Sequence, residues 1–359
     1  MGVTAGLGRA HGQPASGNPI PRWRGFNLLN FFQAFSRSSD AVIPEEDCRF
    51  IRDWGFDFVR LPMDYWLWID SDWRRTKTLT PDDVYKIDEP MMEKIDRAVE
   101  TVNKFGLHMS LNFHRGPGYC INNPDREPFV LWSDPRAEDA FVHHWDVFAR
   151  RYRGVAVKDL SFNLLNEAPT PKEGYMTRDD YVRVMRRTTM KIRESNPPDR
   201  VIVIDGLNVG NKVVEEMIPD GVVQSVHAYT PAGISHYRAS WVDRKSDFVP
   251  PAWPLTDKLG RVWNRQSMVD HYAPWGELAR KGVGVHCGEA GCYNKTPHPV
   301  FLSWMGDVME ILKEHGIGWA LWNLRGSFGV LDSERADVDY EEYYGHRLDR
   351  KLLEMLQRS

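Results

Sequence analysis

Eight short apolar runs recur along this 359-residue chain, at residues 23–28, 56–61, 109–113, 160–165, 201–204, 222–226, 283–287 and 318–321. Several are rich in Val and Ile, and near-continuous apolarity suits a parallel strand covered on both faces. Between them lie stripes at helical spacing. Met91, Ile95, Ala98, Val99 and Val102 precede Gly106, and Phe141, Trp145, Phe148, Ala149 and Tyr152 precede Gly154. Tyr181, Val184, Met185, Thr188 and Ile192 run to Asn196 and two prolines, and Phe301, Trp304, Met305, Val308, Ile311 and Leu312 run to Gly316. A glycine just past the last apolar position is the usual helix stop.

Repeated strand–helix units predict an α/β fold, a single closed (β/α)8 TIM barrel, with an open doubly wound sheet as the alternative. No G-x-G-x-x-G follows an early strand, so the main sign of a dinucleotide-binding sheet is missing. Residues 1–18 read as a flexible N-terminal lead-in, and 19–359 as one domain that no Ser/Gly/Pro-rich tract divides. Residues 229–275, with YTPAGISHY, VPPAWP and Trp263, break the rhythm. They predict a long loop insertion after strand 6 that forms a wall or partial lid of a cleft.

The formal net charge of -4 argues against nucleic acid as a partner, which calls for a basic face. No apolar stretch is long enough for a membrane span. The first residues lack the apolar core of ~7–15 residues that marks a secretory signal. Compartment stays open: secreted or periplasmic if a signal segment was trimmed, cytoplasmic otherwise. Cys48, Cys120, Cys287 and Cys292 are too few for a disulfide scaffold, and their spacing lacks a zinc pattern. Buried free thiols are expected.

What ends each run carries the functional signal, because the C-terminal strand ends of such a barrel share one face. Strand one ends at Asn27, strand two carries Arg60, and strand three leads to Asn112, His114 and Arg115. Strand four closes on Asn166 and Glu167, strand five on Asp205, and strand six on His227 and Tyr229. Strand seven delivers Glu289, and strand eight Trp322 and Asn323. Any one of these has an ordinary structural explanation; converging on one bowl, they make a site. Two glutamates facing each other across a barrel suit glycosidic cleavage. One carboxylic acid protonates the leaving oxygen, and a carboxylate ~5–5.5 Å away attacks the anomeric carbon. Arg60 and the Tyr229 hydroxyl are placed to hold Glu289 ionised, and Asn166 to meet the neighbouring sugar hydroxyl. Asn27, Asp64, Trp66, Trp68 and Asn323 are candidate further sugar contacts. Trp132 and Trp263 are weighed against plain packing, and Asp125 and Asp205 against ordinary solvated loop carboxylates.

From RGFNL at residue 24 to LWN near 323 the chain resembles glycoside hydrolase family 5, the cellulase-type family of the retaining (β/α)8 clan. Arg60, His114, Asn166, Glu167, His227, Tyr229, Glu289 and Trp322 fall in the order of that family's eight characteristic positions. The resemblance implies Glu167 as acid/base and Glu289 as nucleophile, oriented by Arg60 and Tyr229. It implies that His114 and Asn166 bind the sugar before the scissile bond, that Trp322 lies under it, and that His227 lies near Glu167. No metal or cofactor is implied, and the substrate is a β-linked glycan, most simply a β-1,4-glucan cut internally. A β-mannan-active or chain-end-acting enzyme of the same family is the alternative, the latter favoured if the long loop HRGPGYCINNPDREPFVLW narrows the groove. From other classes, a carbohydrate-binding barrel without catalysis must explain why both glutamates are present. A metal-dependent barrel hydrolase must do without an early H-x-H pair.

Overall fold

A computed structural model describes residues 17–35 and 41–359. Its core is a ring of strands: β1 (Arg24–Asn27), β2 (Phe58–Asp64), β3 (His108–Gly116), β4 (Leu160–Asn163), β5 (Ile202–Asp205), β6 (Val223–Ala228), β7 (Val285–Ala290) and β8 (Gly318–Leu321). Each pairs in parallel with the next, and β8 pairs with β1. The barrel is closed, which settles the choice against an open sheet.

Around it lie α1 (Glu45–Asp53), α2 (Glu89–Lys104), α3 (Pro135–Arg151), α4 (Arg178–Ser195), α5 (Arg265–Arg280), α6 (His298–Glu314) and α7 (Arg350–Arg358). The apolar stripes of α2, α3, α4 and α6 face inward as their spacing predicts. Two helix starts carry capping boxes, Thr177 with Asp180 on α4 and Asn264 with Ser267 on α5. The β5–β6 crossover departs from the pattern, with the turn Leu207–Gly210 and the 3-10 segment Glu215–Asp220 in place of a long helix. Gly206, Gly210 and Pro219 account for this locally. Gly210 also sits so close to the site that a Cβ there would lie 2.8 Å from that of His227.

Ile20, Trp23, Phe58, Val203, Val223 and Ala320 plug the N-terminal end of the barrel. Asn18 belongs to this end and not to a flexible lead-in. Its amide donates to Val285 O at 2.8 Å and Gly316 O at 3.1 Å, which moves the expected boundary at 18 earlier; residues 1–16 lie outside the described residues. All four cysteines are buried and free. Among the described residues no helix is long and apolar enough to cross a membrane.

Two strands carry one residue more than their neighbours. Between β6 and β7, Val226 pairs with Cys287 but His227 with Glu289, leaving Gly288 extra. Between β2 and β3, Met63 pairs with Phe113 but Asp64 with Arg115, leaving His114 extra. Bulges of this kind re-aim side chains. Gly288 can fill its place only without a side chain, since a Cβ would fall 2.5 Å from Ser225 Oγ.

The insertion after β6 holds the helical turn Ala232–Ser235 and a two-stranded hairpin of Leu255–Thr256 with Val262–Trp263. It stands as a wall at the mouth: His236 packs against Tyr229 and Phe328, and Trp241 against Tyr293.

Candidate active site

At the open end, Arg60 reaches from β2 into the middle of the bowl and is fully buried. Such a charge needs hydrogen-bond partners, and each of its three nitrogens has at least one. Nε donates to Asn163 Oδ1 at 2.9 Å, Nη1 to Asn27 Oδ1 at 3.0 Å and Glu289 Oε1 at 2.7 Å, and Nη2 to Asn166 Oδ1 at 2.7 Å. The other oxygen of Glu289 accepts from the Tyr229 hydroxyl at 2.9 Å. Both Glu289 oxygens are therefore engaged by donors.

Glu167 stands opposite, just past β4. The strand ladder stops at Asn163, but Leu164 N still donates to Val203 O and Asn166 N to Phe113 O, so the segment FNLLNE keeps its course to the mouth. Glu167 has a left-handed backbone (φ 46), a costly conformation for a non-glycine residue. Asp205 and Tyr119 hold it there: the Glu167 N–H donates to Asp205 Oδ2 at 3.0 Å, and its carbonyl accepts from the Tyr119 hydroxyl at 2.8 Å. His227 Nδ1 lies 3.0 Å from Glu167 Oε1. One carboxylate oxygen each from Glu167 and Glu289 and a ring nitrogen of His227 all lie within 4.8 Å of one another.

The charges are strongly interdependent. Burial alone would lower the His227 pKa, but Asp205, Glu289 and Glu167 reverse this and raise it to about 10, so the ring is an imidazolium at neutral pH. It then has no lone pair to offer a cation. Asp205 would be pushed up by burial, yet His227, Arg60 and the Glu167 N–H hold it far below the usual carboxylate range. Glu289 is raised, chiefly by burial and further by the charges of Glu167 and Asp205, while His227 and Arg60 pull it down. His114 is neutral, its pKa lowered by burial and then by Arg60 and Arg115.

His227 also makes the fold pH-sensitive. A folded pKa raised from 6.5 means that the folded chain binds the extra proton. The stability this contributes is fully present below the unfolded pKa and is lost as pH rises through about 10. The midpoint of thermal unfolding should fall between pH 7 and pH 10 in the wild type and fall less in His227→Gln, as calorimetry across that range would read.

Several polar atoms of the bowl remain unpartnered. Asn166 Nδ2, His114 Nδ1 and Asn323 Oδ1 are buried with no hydrogen-bond partner among the described residues. His114 stacks on Trp322 at 5.7 Å, and Phe32 packs against the edges of both rings. Other candidates are used differently. Asn27 is a brace, its amide donating to Gly288 O at 3.0 Å while its Oδ1 accepts from Arg60. Asp64 caps the turn Tyr65–Trp68 and accepts from Ala34 N, and burial pushes its carboxyl up to about 6. Trp66 and Trp68 are 0% exposed, their indole N–H groups taken by Glu127 and His144. All four side chains are buried and held in contacts within the protein. Trp132 is buried, Trp263 bonds to Asp257, and Asp125 is an exposed loop carboxylate.

Asn163 and Tyr119 are not singled out in the sequence, and Asp205 stands there as a strand-end polar residue weighed against a solvated loop carboxylate, with no tie to Glu167 or His227. Asn163 had a signal: it is a polar residue within an apolar run, bonded on one side to Arg60 and on the other to Asp205 at 2.9 Å. The loop after β3 folds back through Tyr119–Cys120 onto Arg115–Gly116. The buried carboxylate of Glu127 pins it, accepting from Tyr65, Arg115 and Gly118 N. This brings Asn122 Nδ2 to 3.4 Å from His114 Nε2.

A family profile described as Cellulase (glycosyl hydrolase family 5) matches residues 12–327. Endoglucanase C of Acetivibrio thermocellus is 28% identical over 346 residues, covering 88% of this chain and 95% of its own length. Cellodextrinase A of Ruminococcus flavefaciens is 26% identical over 310 residues, covering 82% and 83%. A crystal structure described as that of a glycoside hydrolase superposes with a TM-score of 0.86 at 38% identity, covering 94% of this chain and 99% of that one.

Proposed function

The chain belongs to glycosyl hydrolase family 5, and from that membership we propose that it is a retaining endo-β-1,4-glucanase working through Glu167 and Glu289. One observation carries the reading: two carboxylate groups whose oxygens come within 4.8 Å of each other, too close for a water to be activated between them. Attack must then come from a carboxylate. Glu289 is the nucleophile, because Arg60 and Tyr229 donate to its two oxygens and favour its charge. Glu167 is then the proton donor: its Oε1 accepts from His227, and among the described residues its Oε2 has no partner and is left to meet the glycosidic oxygen.

In the first step the Glu289 oxygen bonds to the anomeric carbon, the glycosidic bond breaks, and Glu167 gives its proton to the leaving oxygen. In the second, Glu167 takes a proton from water, whose oxygen replaces Glu289 with net retention. Asn166 Nδ2 meets the hydroxyl beside the reacting carbon, and Trp322 lies under that sugar ring. Tyr229→Phe removes a hydrogen bond to a charged group worth about 1.5–3 kcal/mol, so kcat should fall about 10- to 150-fold with KM little changed. Steady-state kinetics on an oligosaccharide reads this.

Endoglucanase C among the relatives favours internal cutting of a β-1,4-glucan. A second reading, attack at chain ends of short oligosaccharides, is favoured by the loop that brings Asn122 to His114 and by the cellodextrinase relative. Carboxymethyl-cellulose distinguishes them. Viscosity that drops well ahead of reducing-end release is the endo result; release without early thinning supports the chain-end reading.

A further inference from the structure

We propose that Asp205 is a positioning residue for the acid/base, holding Glu167 at two points, its backbone N–H directly and its carboxylate through His227. The inference rests on Glu167 being the acid/base. Asp205 Oδ2 accepts the Glu167 N–H at 3.0 Å and lies 3.1 Å from His227 Nε2, off the ideal hydrogen-bond line but within ion-pair range. His227 Nδ1 meets Glu167 Oε1 at 3.0 Å. Asp205 is itself immobilised: Asn163 Nδ2 donates to Oδ1 at 2.9 Å, Arg60 Nη2 stands 3.8 Å from Oδ2, and its carbonyl accepts from the Tyr181 hydroxyl. It is fully buried and touches neither the open oxygen of Glu167 nor Glu289, so it acts through its neighbours.

The chemistry of an imidazole gives this contact its consequence. A neutral ring carries one proton, and a carboxylate at Nε2 would draw it there, leaving Nδ1 an acceptor that repels Glu167. Asp205 on one nitrogen and Glu167 on the other hold both protons on the ring, so that Nδ1 always donates. Oε1 is then committed, and Oε2 is the oxygen left to exchange protons with the substrate. A left-handed backbone at Glu167, which the Asp205 contact holds, aims the side chain into the bowl.

The groups that face His227 are few. Glu167 of the β4 end, Asp205 of β5 and Glu289 of β7 are the carboxylates, with Glu289 Oε2 at 3.8 Å from Nδ1. Arg60 of β2 is the fixed cation, and its bonds go to Asn163, Asn27, Glu289 and Asn166. His114 of β3 and His286 of β7 are kept neutral by burial, and Tyr229 lies edge-on to the ring. Removing the Asp205 charge takes away the one carboxylate that the described residues place at Nε2. The ring then gives up a proton at lower pH, and an Asn side-chain carbonyl accepts the one left on Nε2.

The test compares Asp205→Asn, His227→Gln and Glu167→Ala on two substrates, cellotetraose and 2,4-dinitrophenyl β-cellobioside, whose leaving group needs no proton. For Asp205→Asn, kcat/KM on cellotetraose should fall about tenfold or more while the aryl substrate stays within about threefold. The alkaline limb of the cellotetraose profile should move down by about one pH unit or more. His227→Gln keeps the Asp205 contacts to Asn163 and to the Glu167 N–H, and should show the same split even if Asp205→Asn folds poorly. A loss equal on both substrates in both variants, or an unmoved alkaline limb in a folded Asp205→Asn, overturns the proposal. If Glu167→Ala itself shows no split, the acid/base assignment fails; if it does and the other two do not, only the role of Asp205 fails.

Discussion

Glu289→Ala should lower kcat on every β-glucoside, activated or not, by about 10^5-fold, ~7 kcal/mol on the barrier. In the proposed mechanism this carboxylate forms the bond that replaces the glycosidic one, and its neighbours among the described residues are poor substitutes. Arg60 is a cation, Tyr229 a bound hydroxyl, and Glu167 is engaged by His227. The shortened side chain leaves room on the face Glu289 occupied. Azide should enter there and restore turnover of an aryl glycoside, giving the α-glycosyl azide by one inversion. A variant that retains more than about one percent of wild-type rate on both substrate types contradicts the nucleophile assignment.

Glu167→Ala should behave differently, because its two tasks can be separated. With cellotetraose the leaving oxygen is basic, and losing the acid should cost about 10^3- to 10^4-fold in kcat/KM. With a dinitrophenyl leaving group the first step needs no proton, so kcat/KM should hold. Only kcat should fall, since the glycosyl-enzyme then waits for an unassisted water. Azide should accelerate that step and yield the β-glycosyl azide, opposite in stereochemistry to the Glu289→Ala product. Two variants giving opposite anomers from one reagent is a pattern that unfolding or loose packing cannot imitate.

Much of this site is legible in the sequence because of how a parallel barrel is built. Strands buried on both faces read as apolar runs, and polar residues at their C-terminal ends stand out against them. Arg60, Asn166, Glu167, His227, Tyr229 and Glu289 are found that way. What the sequence hides depends on lateral neighbours. Asn27 looks like a sugar ligand at a strand end, and only the position of Arg60 turns it into a brace. Trp66 and Trp68 look like loop rings, yet the turn Tyr65–Trp68 carries them inward to Glu127 and His144, 61 and 76 residues downstream. Asp205 reads as a carboxylate at a strand exit, and its part emerges once β4, β5 and β6 bring Asn163, Glu167 and His227 to it. The bulges at His114 and Gly288 have no signature in hydrophobic period, because one extra residue leaves each apolar run intact. The reduced β5–β6 crossover does carry one, in Gly206, Gly210 and Pro219.

Double displacement passes through a covalent bond between sugar and protein, and that bond can be weighed. A 2,4-dinitrophenyl 2-deoxy-2-fluoro-β-cellobioside slows both steps but keeps the good leaving group, so the glycosyl-enzyme should accumulate. Intact-protein mass spectrometry should then show one added 2-deoxy-2-fluorocellobiosyl group, and peptide mapping should place it on Glu289. No adduct while the parent aryl cellobioside is turned over, or an adduct on any other residue, would contradict the mechanism.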